Sequence, residues 1–453
     1  MSENSGGCRR LASRPVREFR VISRRGLLRS AAVAIVAPYF VPSAALGRAG
    51  RPGANERLTL GLIGVGNMGS AHLEAYLGRD DVQIVAICDV DRMKREQAKA
   101  KVEQQYAAER ESGAYKGCEI YHEYEQLLAR PDIDVVVIAV PDHWHAIIAV
   151  AACAAGKDVY CEKPLALTIN EAWAMVAAAR RYARVFQTGS QQRSDGNFRL
   201  ACELVRNGRI GKLLTVNYDV QGPSREKYLP EEPVREGLDW ERWLGPAPWQ
   251  PYSAERCSGD YGGGWRDIRD YSGGMTTDWG AHHIDIAQWG MGADGTGPVE
   301  IVPPPRAPAT RQRVDPGKEQ TLTMTYANGV KLIHGGANGV LFTGTDGKIE
   351  VNRGYFRTWP ESIGREPIGP NDLRLYASDD HRGDWLACVR ARRRPICDVE
   401  IGASSVTVCH LANIAFWTGR TIRWDSARRE IIGDPAAARW LDRPKRAPYR
   451  LPA

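Results

Sequence analysis

The chain has 453 residues, of which 43% are hydrophobic and 25% charged, enough for two globular domains with a sizeable core. The net charge of +7 sits almost entirely at one end, because the first 47 residues hold eight arginines against two glutamates and leave the remainder close to neutral. That balance excludes the basic face of a nucleic-acid binder and suits a small uncharged or weakly charged ligand. The ten cysteines contain no C-x-x-C pair, which argues against zinc ribbons and redox dithiols. Cys88, Cys153, Cys161 and Cys409 lie in apolar runs and read as small core residues.

In chain order, residues 1–47 read first as a twin-arginine export signal. Arg24 and Arg25 precede a short apolar run, Ala31–Ala37, and small residues close the segment near Ala45–Gly47. The run is too short for a membrane anchor; a basic tail without an address is the other reading. The implied location is the periplasm, reached in the folded state through the twin-arginine translocase. Residues 48–56 form a linker. Residues 57–186 then alternate strand and helix: "LTLGLIGVGNMGSAHLEAYL", "VQIVAICDVD", "DIDVVVIAVPDHWHAIIAVAACAAG" and "KDVYCEKP". Such alternation predicts parallel pairing in a doubly wound α/β Rossmann sheet. Residues 187–453 change texture. A long strand in "KLLTVNYDVQG" and the turn dipeptides Asn328-Gly329 and Asp346-Gly347 between alternating runs predict an α+β domain on a mostly antiparallel sheet. The proline-rich stretch 298–317 reads as surface loop. Helices around Trp385–Ala391 and Ser405–Thr418 read as amphipathic covers for that sheet.

"GVGNMG" fits G-x-G-x-x-G after a strand and at the start of a helix, the context that makes the pattern informative. Gly64 permits the tight turn, Gly66 lets a pyrophosphate approach, Gly69 allows close helix packing, and Asn67 and Met68 complete the cradle. The helix start offers N–H groups and positive dipole to phosphates. Asp89 ends the next strand, where a carboxylate bonds ribose hydroxyls and repels a 2′-phosphate, favouring NAD. Arg92 beside it keeps NADP open, and a glycine turn without ligand is the bland alternative.

Farther on, "GGMTTDWGAHHIDIAQW" places Asp278, His282 and Asp285 at i, i+4 and i+7, on one helical face. A catalytic zinc wants three protein ligands, and no third is evident, so no metal is assigned. An imidazole titrates near neutral pH and suits proton handling; a polar helix face without chemistry is the other reading.

Taken together, "GVGNMG", "VPDHWH" (140–145), "AGKDVYCEKP" (155–164) and "SGGMTTDWGAHHID" (272–285) resemble the Gfo/Idh/MocA oxidoreductases. The resemblance runs from about Leu58 to the C-terminus. It implies a Rossmann domain followed by a large open sheet that commonly forms subunit interfaces, and hence a homo-oligomer. It also implies catalytic roles for Lys163, His282 and Asp278, with Asp278 orienting or charging His282. Asp142, His145, Glu162 and Lys163 fall at the cofactor; His145 reads chiefly as a helix cap with indirect contact. Gln191, Arg193, Trp265 and His283 are candidate substrate contacts, and Trp144, Trp279 and Tyr271 lie in or beside the same loops.

The expected activity is hydride transfer between a secondary alcohol of a sugar, glycoside or cyclitol and NAD(P). Export adds a condition. A cofactor carried out of the cell must leave more slowly than about 10⁻⁴ s⁻¹, which at ~10⁶ M⁻¹s⁻¹ association means a Kd of roughly 0.1 nM. A second reading is an NAD-dependent glycosidase that oxidises C3 transiently and eliminates the aglycone, with His283 or Tyr271 as the extra acid/base. A third is a non-catalytic, cofactor-stabilised binding protein.

Overall fold

A computed structural model describes residues 56–259, 262–305 and 321–451; the twin-arginine segment and nearly all of the linker lie outside the described residues. The first sheet has six strands: β1 (Leu58–Ile63), β2 (Val82–Cys88), β3 (Glu119–Tyr121), β4 (Val135–Ile138), β5 (Asp158–Cys161) and β6 (Phe186–Thr188). They run in the order 3-2-1-4-5-6, all parallel. The β4 run VVVI is buried at every position, as a strand covered by helices on both faces must be. Strand order reverses between β1 and β4, so a crevice opens at their carboxyl ends. Helix α1 (Asn67–Leu77) leaves β1 through the glycine turn, and α2 (Asp142–Ala154) leaves β4 through Pro141. The sheet continues past residue 186 through Thr188.

The second sheet has nine strands: β7 (Leu213–Tyr218), β8 (Glu300–Val302), β9 (Thr323–Thr325), β10 (Lys331–His334), β11 (Val340–Gly344), β12 (Lys348–Asn352), β13 (Tyr355–Trp359), β14 (Ile422–Asp425) and β15 (Glu430–Ile431), in the order 13-12-11-7-10-9-8-14-15. Its pairs are antiparallel except β7 with β10. Val216, Tyr218, Val340, Phe342, Ile349 and Val351 alternate into the core, the period-2 pattern of a sheet buried on one face. Gly329 has φ +85°, as the Asn-Gly turn requires. Gly347 instead supplies room, since a Cβ there would lie 2.6 Å from the Trp359 carbonyl oxygen. The stretch 298–317 is not loop throughout: Glu300–Val302 forms β8, paired with both β9 and β14.

Four helices matter for the site: α3 (Met275–Asp278), α4 (Gly280–Met291), α5 (His381–Ala391) and α6 (Val399–Thr418). The expected single helix over the Asp-His motif is broken at Trp279, whose carbonyl accepts from both His282 N and His283 N. Asp285 is not on a shared catalytic face; it turns into the core. The two late helices are not covers of that sheet alone. Trp385, Leu386 and Val389 of α5 pack into the core of the first domain, and α6 sends Val399, Ala403 and Val406 there but Val408, Leu411 and Ala412 into the second core. A helix buried in two cores has no polar stripe to read.

Candidate active site

The crevice at the strand ends is a cleft of about 520 Å³. Its lower wall is the glycine turn. Gly64 has φ +87°, and a Cβ would sit 2.5 Å from the Ala139 carbonyl oxygen; at Gly69 a Cβ would overlap the Gly64 carbonyl. At Gly66 nothing lies within 4 Å of that position. The three glycines thus serve the turn, the open cradle and the close helix packing. No side chain caps α1, so its first N–H groups are available to an anion. Gly66, Asn67 and Met68 line the cleft. Asp89 lines it too, its carboxylate accepting from Val65 N at 2.8 Å and Asp91 N at 2.9 Å. Burial pushes its pKa up against those two bonds. Arg92 does not line this cleft; its guanidinium turns to Glu236, 2.8 Å away. These features fit a dinucleotide without a 2′-phosphate.

A strap from the second domain closes one side. Arg92 N donates to the Gly237 carbonyl at 2.8 Å and Asp239 N to the Val90 carbonyl at 3.1 Å. Arg235 pairs with Asp91, and the Asp239 carboxylate meets His122 Nε2 at 2.9 Å. Arg235, Leu238, Arg242 and Trp243 thereby become cleft wall.

The reactive end draws on both domains. Glu162 and Lys163 follow β5. His72 Nδ1 accepts from Arg382 Nε at 2.9 Å, so its Nε2–H donates to Glu162 Oε1 at 2.8 Å. Burial opposes ionisation of Glu162, but His72 and the Lys163 ammonium outweigh it and hold the carboxyl below its ordinary range. Lys163 Nζ donates to Asp278 Oδ1 at 2.9 Å. Arg266 Nε approaches the same oxygen at 3.4 Å. His282, on α4, lines the same cleft. Its Nδ1 is buried and has no hydrogen-bond partner among the described residues. Burial first, then the charges of Lys163 and Arg353, hold its pKa well below the usual histidine range, so the imidazole is a neutral base at pH 7. Asp278 therefore holds the lysine, contrary to the expectation that it orients His282. Asp142 opens α2 at the cleft, and burial pushes its pKa up to about 7, Asp278 adding to the rise against the Ser272 hydroxyl, Arg266 and Lys163.

The cleft brings together Gly64, Gly66, Asn67, Met68, Asp89, Asp142, Glu162, Lys163, Gln191, Trp265, Asp278 and His282. Five expected residues stand elsewhere. Gly69 packs behind the turn. His145 is neither cap nor cofactor contact: its two ring nitrogens span the carbonyls of Val140 and Pro164, each at 2.9 Å. It ties the loop after β4 to the loop carrying Lys163. Arg193 is 1% exposed and forks onto Asp285 at 2.7 and 3.0 Å and Asp294 at 2.7 and 2.9 Å, which removes it from any substrate. His283 Nδ1 bonds the Asp219 carbonyl at 2.9 Å under the sheet, and Tyr271 is fully buried outside the cleft. Sequence reasoning missed Arg266 and Arg353. Arg353 sits in the turn between β12 and β13, where Gly354 has φ +67°; the turn dipeptides singled out in the sequence, Asn328-Gly329 and Asp346-Gly347, lie elsewhere.

Two sequence profiles match the chain: an oxidoreductase family NAD-binding Rossmann fold over residues 58–190, and the C-terminal alpha/beta domain of the same family over residues 209–451. The chain belongs to the Gfo/Idh/MocA oxidoreductase family. Its cofactor domain is the family's NAD-binding one. Among curated relatives, a glycosyl hydrolase family 109 protein of Shewanella pealeana is 34% identical over 159 residues, 35% of this chain and 34% of the relative. An alpha-N-acetylgalactosaminidase of Shewanella oneidensis is 31% identical over the same length, again 35% and 34% of the two chains. The match thus spans about a third of the length of these relatives. Among solved structures, an aldose-aldose oxidoreductase from Caulobacter crescentus complexed with glycerol superposes with TM-score 0.54 at 20% identity, over 81% of this chain and 99% of that one. At such identity the likeness is of fold.

Proposed function

We propose that this family member transfers a hydride between a CH–OH group of a sugar, glycoside or cyclitol and a tightly held NAD. The observation that carries the reading is the convergence of Lys163, from the end of β5, and His282, from α4, on the cleft that also holds the glycine cradle. NAD, when bound, supplies the hydride acceptor. The chain supplies the rest. Neutral His282 takes the hydroxyl proton. The Lys163 ammonium, steered by Asp278, donates to the oxygen as negative charge builds on it. Glu162, fixed by His72 and Arg382, keeps the lysine loop rigid. Trp265 and Trp279 line the same cleft and offer indole surface to a sugar ring. The strap supports slow dinucleotide release. The proposal includes export through the twin-arginine translocase and a homo-oligomer formed through the outer face of the nine-stranded sheet.

The test is direct. Purified protein should carry a dinucleotide visible by absorbance and mass spectrometry. A panel of sugars and cyclitols should then generate the reduced-nicotinamide band, and Lys163→Met should abolish it. No co-purifying dinucleotide would refute retention; an unchanged signal in Lys163→Met would refute the catalytic assignment.

The glycosidase reading is kept because of the names of the curated relatives. His283 and Tyr271 lie outside the cleft and do not serve it. Asp142, with a pKa near neutrality, is the carboxyl available for a second proton transfer. Release of nitrophenol from nitrophenyl glycosides, with deuterium uptake at C2, would select this reaction; net accumulation of reduced nicotinamide would select the first.

A further inference from the structure

We infer that the substrate is an acidic sugar whose carboxylate is held by Arg353. The inference rests on the sugar-binding reading of the cleft and narrows its ligand.

The argument begins with charge. Asp278 is the one carboxylate shared by Lys163 and Arg266, at 2.9 and 3.4 Å. Glu162 is committed to His72 at 2.8 Å. Arg353 lines the same cleft, close enough to His282 that its charge helps keep the imidazole neutral. Among the described residues no carboxylate comes within 4 Å of its guanidinium, so it makes no ion pair. It is nonetheless held in place. Its Cζ lies 4.8 Å from the Trp279 ring centre, and its Nε donates to the Gln192 amide oxygen at 3.3 Å once that amide is oriented to satisfy both of its own partners. The two terminal nitrogens make no hydrogen bond among the described residues.

Arg353 is exposed at the cleft, so its two terminal nitrogens face outward, open to a ligand. A planar carboxylate would satisfy both terminal nitrogens at once, which a lone hydroxyl cannot do. The stack on Trp279 fixes the plane of the fork, and the same indole lies beside His282, with ring centres 5.7 Å apart. An acid group on Arg353 therefore leaves a sugar carbon within the reach of the imidazole and of Lys163. The overall charge balance of the sequence gives no hint of this, because the arginine reaches the cleft only through the fold.

The probes are glucose, glucuronate, glucuronamide and glucose 6-phosphate, with the matching galactose series, added to the NAD-loaded protein. Binding is read by calorimetry and by ligand-induced shift of the melting temperature; turnover is read separately by the nicotinamide band. The uronates should bind about 10- to 100-fold more tightly than the uronamides, the worth of one charge-assisted pair. In Arg353→Gln the ratio of acid to amide affinity should collapse toward one. Arg353→Lys, which keeps the charge but loses the fork, should retain only part of the preference and stands in if the glutamine variant does not fold. Equal binding of acid and amide, a preference that survives Arg353→Gln, or phosphate ester bound more tightly than uronate would each overturn the inference. Uronate binding without turnover would leave the inference standing and remove the dehydrogenase reading. Turnover of neutral sugars without acid preference would do the reverse.

Discussion

His282 shows how one residue's chemistry is set by its neighbours. Its imidazole is buried, faces two cations and has an unpartnered Nδ1, so the charged form is penalised and the base form is populated across the physiological range. His282→Ala should therefore lower kcat by about 10²- to 10⁴-fold. The acid limb of the kcat/KM profile should lie well below pH 6.5. A limb at or above 6.5 would mean that some other group is the base. Asp142 presents the opposite case. Its folded-state pKa is raised to about 7, whereas the unfolded chain titrates near about 4. Below pH ~4 both states are protonated and the residue is without penalty. As pH rises toward 7 the unfolded state sheds its proton first, stability falls, and above 7 the full penalty applies. Asp142→Asn should accordingly raise Tm at pH 8, by about 2–4 °C per kcal/mol relieved, and the gain should shrink toward pH 5. A pH-independent gain in thermal scans would assign the effect to packing instead.

At the scale of elements, the strap is the part with a distinct task. It rests on the loop after β2 through two backbone hydrogen bonds and the pairs Arg235–Asp91 and Arg92–Glu236. Asp91 also caps the following helix, accepting from Met93 N and Lys94 N, so the strap grips a rigid anchor. Arg235→Ala removes one tie and a piece of cleft wall. Dinucleotide dissociation, followed by chase with excess unlabelled NAD, should speed up by about tenfold, the worth of one hydrogen-bonded charge pair, with little change in Tm. An unaltered release rate would make the strap a bystander. The contrast with the glycine turn explains what a sequence discloses. Gly64 and Gly69 were legible because the local backbone admits one residue type there, and Gly66 because a pyrophosphate approaching the turn leaves no place for a side chain. So were Lys163 and His282, through short motifs at strand and helix ends. Arg193 and His283 misled, because a polar residue next to a motif carries no mark of which way it faces; Asp285 and the Asp219 carbonyl claim them. Arg353 and the strap reach the site by tertiary folding alone, from segments that carry no motif.

For the molecule as a whole, the seam between the two cores decides whether Lys163 and His282 stay in register. Helix α6 is that seam. Its first half packs in the core of the first domain and its second half in the core of the other, and His410 Nε2 bonds the Ala166 carbonyl at 2.9 Å across it. Gly402 is the tightest point: a Cβ there would overlap Thr188 Oγ1 and lie 2.8 Å from the Thr188 Cβ. Thr188 ends β6, and the next residues lead through Gly189 to Gln191 in the cleft. A larger side chain must push α6 away from β6, because neither a core helix nor a fully buried strand end can yield cheaply. Gly402→Val should cost about 1–3 kcal/mol, as overpacked cores do, and lower Tm by roughly 2–4 °C per kcal/mol. Because α6 belongs to both cores, the melt should move as one cooperative transition and not split into two. The same wedge shifts Gly189–Gln191 relative to Lys163, so kcat should fall more than ligand affinity. Calorimetry of the NAD-loaded variant checks the first expectation and steady-state kinetics the second. Two resolved transitions, or full activity at a lowered Tm, would mean that the cores fold and work independently and that the seam does not hold the catalytic pair together.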